Sequence, residues 1–305
     1  MLKDHSLVAE NITFGYQKNL PIIRAASIQF QAGQITALIG SNGSGKTTFL
    51  KILSGIFHAD QGQLFFQGKS ITKKTQYHYK KLIGFMPELL QLYPNMKVQS
   101  VLFFLAKLKG CSKNKVTEIL DQVDLQKHAH RKVKALSKGM QQRLNLAQAL
   151  INSPEVLLLD EPSNGLDYTS IISFYAILRK LAAGGATIIL SSHQLGEVME
   201  YVDLIAVLRN GHIILHDHLS NVFSQANSTV ETIHFYFDKI IRPEAFAALS
   251  RQHPELTSVN ETGITVALEK QEIGRFIVAA KEQGLELIDL KIKHKTLTEL
   301  ITNIS

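Results

Sequence analysis

The fold is decided by one stretch of the sequence, Gly40-Ser41-Asn42-Gly43-Ser44-Gly45-Lys46-Thr47, which meets the pattern G-x-x-x-x-G-K-[ST]. This stretch follows an apolar run at 35–39 and leads into a helical run that extends from Thr47 to Ile56. Glycines here let consecutive backbone N–H groups turn inward around an anion, and the helix N-terminus adds partial positive charge. We therefore predict a phosphate cradle, in which Lys46 reaches the β- and γ-phosphates of a nucleotide and Thr47 offers its hydroxyl to Mg²⁺.

Two acidic residues, Asp160 and Glu161, end a second apolar run at 156–159, and a third apolar run lies at 187–190. Nearly continuous apolar runs of this length are typical of parallel strands that are buried on both faces. At the end of such a strand one carboxylate can hold Mg²⁺ while its neighbour contacts an attacking water. We assign Asp160 as the metal carboxylate and Glu161 as the catalytic base; the alternative is an ordinary pair of strand-end acids.

The remaining segments of residues 1–220 complete one domain around these runs. Residues 7–30 alternate apolar and polar positions, which predicts antiparallel strands at one edge of the domain. Residues 92–152 have helical periodicity, which predicts a mainly helical insertion. Asn210-Gly211 lies between two short apolar strands and predicts a hairpin near the end of the domain. The expected fold is a covered α/β sheet with an antiparallel β edge and a helical subdomain.

A second pattern occupies residues 221–305, after a polar stretch at 219–229. It predicts a strand, a helix, two strands, a helix and a strand, which is the order of a ferredoxin-like α+β domain. The predicted bounds are 230–237, 243–252, 257–261, 263–269, 271–283 and 285–293, followed by a short helix from Thr296. No catalytic constellation stands out in this accessory domain.

The composition is that of a folded chain of two domains, with 305 residues, 45% of them hydrophobic and 19% charged. No run approaches the roughly 20 apolar residues that cross a bilayer, and residues 1–5 lack the apolar core of a signal peptide. The single cysteine, Cys111, fits a reducing compartment. The net charge of +7 suits either nucleic acid, a membrane surface or simple solvation; we expect membrane proximity and no nucleic acid.

The motif set resembles the ATP-binding subunits of ABC transporters over residues 5–218. The segment Leu136-Ser137-Lys138-Gly139-Met140-Gln141-Gln142-Arg143 is similar to the family signature LSGGQ, with Lys138 and Met140 as departures. Outside the family, Ser137 would be interpreted as a helix N-cap. The resemblance implies instead that Ser137 and Gly139 close over the γ-phosphate of ATP in another subunit's cradle. It therefore implies a second ATPase cassette as partner, and we expect a homodimer.

The resemblance also implies roles for four further positions. Ser163-Asn-Gly-Leu-Asp167 is similar to the D-loop that communicates across the dimer, and His193 matches the histidine that senses the γ-phosphate. Tyr16 matches the aromatic residue that stacks on adenine, and Glu88 stands where the family usually has glutamine. The cofactors implied are ATP and Mg²⁺. The candidate residues are catalytic Glu161 and His193; metal-binding Thr47, Glu88 and Asp160; and cofactor-binding Tyr16, Gly40, Ser41, Asn42, Gly43, Ser44, Gly45, Lys46, Thr47, Thr48, Ser137, Gly139 and Asp167.

Two hypotheses for the function follow from the resemblance. The first is a transport ATPase, peripheral at the cytoplasmic face of the cell membrane, whose segment 84–104 receives a coupling helix from a separate transmembrane permease. The second is a soluble ABC ATPase that acts on ribosomes or DNA; such relatives usually carry two cassettes or long coiled coils, so we favour transport. Glu88 and Ser-Lys-Gly-Met at 137–140 favour an ABC-2-type exporter over an importer. Residues 131–150 are similar to the copper-processing subunit of nitrous-oxide reductase maturation.

The twelve histidines raise a separate metal hypothesis, because His212, His216 and His218 are close together in the predicted hairpin. No carboxylate or cysteine is spaced to complete a ligand set with them. We therefore favour a solvated hairpin face over a metal site.

Overall fold

The computed structural model describes residues 6–90, 92–226, 231–254, 256–269 and 271–293. The chain divides into two compact units, Met1–Leu219 and Ser220–Ser305. The short helix predicted from Thr296 lies outside the described residues. None of the helices in the described ranges is long and apolar enough to cross a bilayer.

The first unit is built from ten strands and seven helices within the described ranges. Its strands are β1 (Leu7–Phe14), β2 (Ile23–Phe30), β3 (Ile35–Ile39), β4 (Gln61–Phe66), β5 (Lys69–Ser70), β6 (Ile83–Met86), β7 (Val156–Leu159), β8 (Thr187–Ser192), β9 (Leu204–Arg209) and β10 (His212–His218). Its helices are α1 (Lys46–Leu53), α2 (Gln76–Lys81), α3 (Val98–Leu108), α4 (Lys113–Gln122), α5 (Lys138–Ala149), α6 (Tyr168–Ala183) and α7 (Leu195–Val198). Short 3-10 turns lie at Gln126–His128 and Val133–Ala135.

The central sheet has six strands in the order β10-β9-β3-β8-β7-β6, and all neighbouring pairs except β10 with β9 are parallel. Every residue of β3 and β7 is buried, as the continuous apolar runs predicted. Since neighbouring parallel strands end at the same edge, the segments after β3, β6, β7 and β8 come together there. That edge is where ligands bind in open α/β sheets.

The predicted antiparallel edge is confirmed as a second sheet in the order β2-β1-β4-β5. A core of apolar side chains from both sheets and from α1 joins them, including Leu7, Ile12, Phe30, Phe49 and Leu158. Helix α1 begins within the motif at 40–47, and its buried side chains pack in this core. The packing therefore holds the start of α1 in place.

The predicted helical insertion and hairpin are also confirmed. Helices α3, α4 and α5 lie between β6 and β7 in sequence. In the hairpin, Asn210 and Gly211 have φ values of 50° and 84°, the left-handed conformations that a two-residue turn of this kind requires. Arg209 pairs with His212 across this turn.

The second unit begins with a helix, α8 (Leu219–Ala226), in the stretch that the sequence marks only as polar. Its other elements are β11 (Glu231–Phe237), α9 (Pro243–Gln252), β12 (Thr257–Asn260), β13 (Gly263–Leu268), α10 (Ile273–Glu282) and β14 (Leu287–Lys293). The sheet is antiparallel in the order β12-β13-β11-β14. Phe235 and Phe276 pack with ring centroids 4.6 Å apart in the core between sheet and helices. The ferredoxin-like α+β fold is confirmed.

Candidate nucleotide site

A cleft of about 510 Å³ lies at the carboxyl edge of the central sheet. It gathers side chains from the segments after β3, β6, β7 and β8, which are far apart in the sequence. Its lining consists of Ile22, Asn42, Gly43, Gly45, Lys46, Thr47, Thr48, Glu88, Glu161, Asn164 and His193. Most of the predicted cleft residues therefore meet in one place.

The loop between β3 and α1 has the shape of an anion cradle. A Cβ added at Gly40 would lie 2.5 Å from both the Leu208 carbonyl oxygen and Ser44 Oγ, so only glycine fits there. Gly45, the N-cap of α1, has a φ of 104°, a conformation that L side chains rarely adopt. The buried Ser44 hydroxyl makes no hydrogen bond to any described residue. An unpartnered hydroxyl inside a glycine-lined loop at a helix N-terminus fits an anionic phosphate chain.

Lys46 is buried at the base of the cradle, and its ammonium group is held by acceptors of the chain itself. Nζ donates hydrogen bonds to the carbonyl oxygens of Gly40, at 2.8 Å, and Ser41, at 3.3 Å. It also lies 3.3 Å from Glu161 Oε1. A phosphate that enters the cleft must therefore displace Glu161 or a loop carbonyl from the ammonium group.

Asp160 is linked to the cradle through hydroxyl groups. Thr47 Oγ1 donates to Asp160 Oδ1 at 3.0 Å, and Ser191 Oγ donates to the same oxygen at 2.7 Å. Ser191 Oγ also accepts a hydrogen bond from the Glu161 backbone N–H at 2.9 Å. Burial raises the pKa of Asp160; the two hydroxyl hydrogen bonds oppose this shift, and the negative charges of Glu88 and Glu161 add to it. A divalent cation is well matched to this concentration of negative charge.

Glu161 is paired on both of its carboxylate oxygens. Besides the Lys46 contact, Oε2 lies 2.9 Å from His193 Nδ1. His193 in turn lies beside Gln194, whose Nε2 is 3.3 Å from His193 Nε2. The backbone of Glu161 has a φ of 45°, a conformation that is uncommon for residues other than glycine.

Tyr16 stands at the margin of the cleft, with 59% of its surface exposed. Its ring packs edge-on against Phe14 and Phe57, with centroid distances of 5.3 and 5.7 Å. Its hydroxyl lies 3.1 Å from Thr48 Oγ1. The ring is thus both fixed in place and accessible, as a stacking surface for a nucleobase must be.

The signature and D-loop residues cap two helices. Ser137 Oγ accepts from the Met140 backbone N–H at 3.3 Å, and Asp167 Oδ1 accepts from the Ser170 backbone N–H at 2.7 Å. Hydrogen bonds from Ser170 and Thr169 lower the pKa of Asp167. Gly139 packs against Ser170, because a Cβ added at Gly139 would lie 2.5 Å from its hydroxyl. Ser137, Gly139 and Asp167 do not line the cleft of their own chain.

The sequence did not reveal two contributors, Ser191 and Asn164. Asn164 Nδ2 donates to Glu88 Oε1 at 3.0 Å, and both side chains line the cleft. The signal available for Ser191 was a polar residue at the end of a buried strand, and Asn164 lies inside the segment 163–167 that resembles the D-loop. No group of three or more His, Cys, Asp or Glu within the described ranges could hold a metal ion by itself, whether in the cleft or at the histidine hairpin. Thr47, Glu88 and Asp160 would therefore need phosphate oxygens to complete a Mg²⁺ shell, as Mg²⁺ sites in nucleotide-binding proteins commonly do.

A glycine cradle on a strand-to-helix turn, a buried lysine and an Asp-Glu pair on a neighbouring strand define a P-loop nucleotide-binding ATPase. The ABC transporter family model matches residues 23–164. The chain is 33% identical over 280 residues to the ABC transporter ATP-binding protein YhcH of Bacillus subtilis (strain 168), covering 91% of this chain and 89% of that protein.

Two further comparisons extend this result. The linearmycin resistance ATP-binding protein LnrL of Bacillus subtilis (strain 168) is 28% identical over 307 residues and covers 98% of both chains. The structure of cbiO1 from Clostridium perfringens, part of the ABC transporter complex cbiONQ, matches with a TM-score of 0.67 and 26% identity over 73% of this chain and 92% of that chain. The chain belongs to the ABC transporter family, as an ATP-binding subunit that hydrolyses ATP.

Proposed function

We propose that this chain is the Mg²⁺-dependent ATPase of an ABC-2-type exporter, bound peripherally at the cytoplasmic face of the cell membrane to a separate permease. The observation that carries the proposal is a group of exposed apolar side chains in the segment that follows Glu88. Leu89, Tyr93 and Phe104 are 85%, 61% and 46% exposed. Tyr93 and Phe104 are in edge-on contact, with centroids 6.5 Å apart. Large exposed apolar side chains that cluster in this way mark interaction sites.

We call Leu89 and the Tyr93–Phe104 pair the docking patch, grouping Leu89 with the pair because it is the most exposed of the three and lies four residues before Tyr93. The docking patch lies within or at the end of the segment 84–104 that we expect to receive a coupling helix. Because Glu88 immediately precedes Leu89, a partner seated on the patch would act directly on a side chain that lines the nucleotide cleft. A movement of the membrane subunit could therefore be transmitted from the docking patch through Glu88 to the nucleotide cleft.

Within the cleft, the residues of this chain have separate roles in the proposed hydrolysis of ATP. Lys46 and the cradle N–H groups bind the phosphates, and Tyr16 stacks on adenine. Glu161 accepts the proton of the attacking water, and His193 holds the Glu161 carboxylate in position. Thr47, Asp160 and Glu88 present hard oxygen ligands that suit Mg²⁺. When bound, Mg²⁺ neutralises charge that develops on the phosphate oxygens.

A second cassette completes the site in this proposal. Ser137 is the N-cap of α5, Gly139 lies in its first turn, and both are outside the cleft of their own chain. Their hydroxyl and backbone N–H groups are therefore available to the γ-phosphate held by another cassette, and we expect the partner to be a second copy. Asp167, the cap of α6, would face the opposite cradle in such a dimer.

The relatives support export without fixing the cargo. LnrL, which matches this chain over nearly its full length, is a linearmycin resistance protein. That likeness favours a role in removing a toxic compound. The similarity of residues 131–150 to a copper-processing subunit stays a prediction; stimulation of ATP hydrolysis by copper in the presence of the permease would support it.

The test is recovery of a membrane partner. The tagged chain is expressed in its own host, membranes are solubilised in mild detergent, and co-purified proteins are identified by mass spectrometry. We expect a membrane protein whose sequence contains several apolar stretches of roughly 20 residues, the length that crosses a bilayer. A double variant, Leu89→Asp with Tyr93→Asp, should lose this partner while its isolated ATPase activity is retained.

The matched control is Ile240→Asp, which alters an exposed apolar residue of the second unit. It should retain the partner. Recovery of ribosomes or DNA with no membrane protein would contradict the proposal and favour the soluble ATPase, the alternative that the net charge of +7 leaves open.

A further inference from the structure

Two amide side chains on α5 hold together two segments of the cleft wall. Gln142 Nε2 donates to the Pro162 carbonyl oxygen at 2.7 Å, and Asn145 Nδ2 donates to the Pro87 carbonyl oxygen at 2.8 Å. Residues three apart lie on the same face of a helix, so one helical face binds both segments. The segment that contains Glu88 and the segment that follows Glu161 are thereby placed side by side.

The two segments are joined by one direct side-chain contact, from Asn164 Nδ2 to Glu88 Oε1 at 3.0 Å. Asn164 is an amide and Glu88 a carboxylate, so the hydrogen bond has an ionised acceptor and is stronger than a neutral one. Both residues are exposed on the cleft side, where a glutamate without a partner would sample several rotamers. The negative charge of Glu88 is near enough to Asp160 to act on it. Asn164 therefore holds the Glu88 carboxylate close to the carboxylate assigned to the metal.

We propose that Asn164 is a positioning residue that aims the Glu88 carboxylate at the Mg²⁺ position. The inference rests on the proposed function, because it takes Glu88 as a metal ligand. It explains how glutamate serves where the resembled family usually has glutamine. It also connects metal binding to the D-loop, since Asn164 belongs to the segment 163–167 that contains Asp167.

The experiment is a double-mutant cycle on metal affinity. Mn²⁺, a paramagnetic substitute for Mg²⁺, is titrated by electron paramagnetic resonance into the full chain saturated with the ATP analogue AMP-PNP. The variants are Asn164→Ala, Glu88→Ala and the two together. We expect Asn164→Ala to weaken Mn²⁺ binding about 2- to 6-fold, because a charge-assisted hydrogen bond at an exposed position is discounted by solvent.

The decisive result is the double variant. If Asn164 acts through Glu88, the double variant should bind Mn²⁺ no more weakly than Glu88→Ala alone does. An equal loss from Asn164→Ala in both backgrounds, or no loss in either, would overturn the inference. Asn114→Ala, an exposed asparagine on α4, is the control and should leave Mn²⁺ affinity unchanged.

Two further readouts separate the outcomes. The midpoint of thermal unfolding should be the same for Asn164→Ala and the unmodified chain, because the residue is exposed; a large fall would show a structural role instead. AMP-PNP-dependent Mn²⁺ binding by the unmodified chain tests the proposed metal site itself. If that binding is present and Asn164→Ala has no effect, the proposed function stands and only the positioning role fails.

Discussion

Substitution of Glu161 by glutamine tests the central assignment of the cleft. The change keeps the shape of the side chain but removes a negative charge 3.3 Å from Lys46 Nζ and 2.9 Å from His193 Nδ1. A glutamine oxygen can still accept from Lys46, so the fold should be preserved. Loss of a general base slows a reaction by about 10²- to 10⁴-fold. That range corresponds to about 2.7–5.4 kcal/mol in the activation free energy of hydrolysis.

The same substitution should strengthen ATP binding. The Lys46 ammonium is shared between Glu161 and two loop carbonyls, and an incoming phosphate must compete with them. Removing the carboxylate charge weakens this competitor and also removes its repulsion of the phosphate. We expect affinity to rise about 3- to 10-fold, equivalent to about 0.6–1.4 kcal/mol.

The assay combines two measurements on the purified chain. ATP affinity is measured by fluorescence of a labelled nucleotide, and hydrolysis by phosphate release under saturating ATP. Size-exclusion chromatography with ATP should show a stable dimer for Glu161→Gln, because the closed state no longer turns over. Glu118→Gln, an exposed glutamate of α4, serves as the control and should behave as the unmodified chain does.

Turnover of Glu161→Gln within twofold of the unmodified rate would refute the assignment of the base. An ATP affinity that falls would refute the competition argument, because the ion pair would then have been supporting the cradle rather than opposing the phosphate. The two results are independent, so each part of the reasoning can fail by itself.

Three other substitutions test the remaining parts of the cleft. Lys46→Ala should weaken ATP binding about 10- to 150-fold, since a charge-assisted contact worth about 1.5–3 kcal/mol is lost; unchanged affinity in a calorimetric titration would argue against the cradle. Burial raises the pKa of Asp160, so its carboxyl group stays protonated to higher pH in the folded chain than in the unfolded chain. The folded chain therefore gains stability as the pH falls from above the folded pKa to below the unfolded pKa. Asp160→Asn should accordingly raise the unfolding midpoint without nucleotide by roughly 2–4 °C and abolish further stabilisation by Mg²⁺ with ATP, both read by scanning calorimetry. Tyr16→Ala should weaken ATP binding about 5- to 50-fold through lost base stacking, whereas Tyr16→Phe should retain it; equal losses in both would point to the hydroxyl contact with Thr48 instead.

Elements with a strong local signal could be predicted from the sequence. The apolar runs of β3, β7 and β8 are long enough to identify buried parallel strands, and Asn210-Gly211 fixes a turn that only a few residue pairs favour. The alternating and helical patterns after residue 230 were sufficient for the order of the second unit, with bounds that differ from the structure by two residues or fewer. These features are determined by residues that are close together in the sequence, and so they can be predicted from it.

Contacts across the carboxyl edge of the sheet could not be predicted in the same way. Ser191 reaches Asp160, and Asn164 reaches Glu88, only because β6, β7 and β8 are adjacent in the sheet. The resemblance supplied residue roles at this edge, but it did not supply pairings, since those depend on side-chain directions at several strand ends. Helix α8 was missed for another reason: Leu219, Val222, Phe223 and Ala226 do recur at helical spacing, but the polar residues between them were interpreted as a linker.

The pairings at this edge suggest why the base and the phosphate-binding lysine are neighbours. The buried Lys46 and Glu161 neutralise each other, which avoids the large cost of an isolated buried charge. In the proposed mechanism, phosphate binding takes Lys46 away from Glu161 and leaves the carboxylate with His193 as its partner. The carboxylate oxygen that Lys46 leaves would then be free to accept a hydrogen bond from the attacking water. Glu161 would therefore be available as a base only in a cleft that holds substrate.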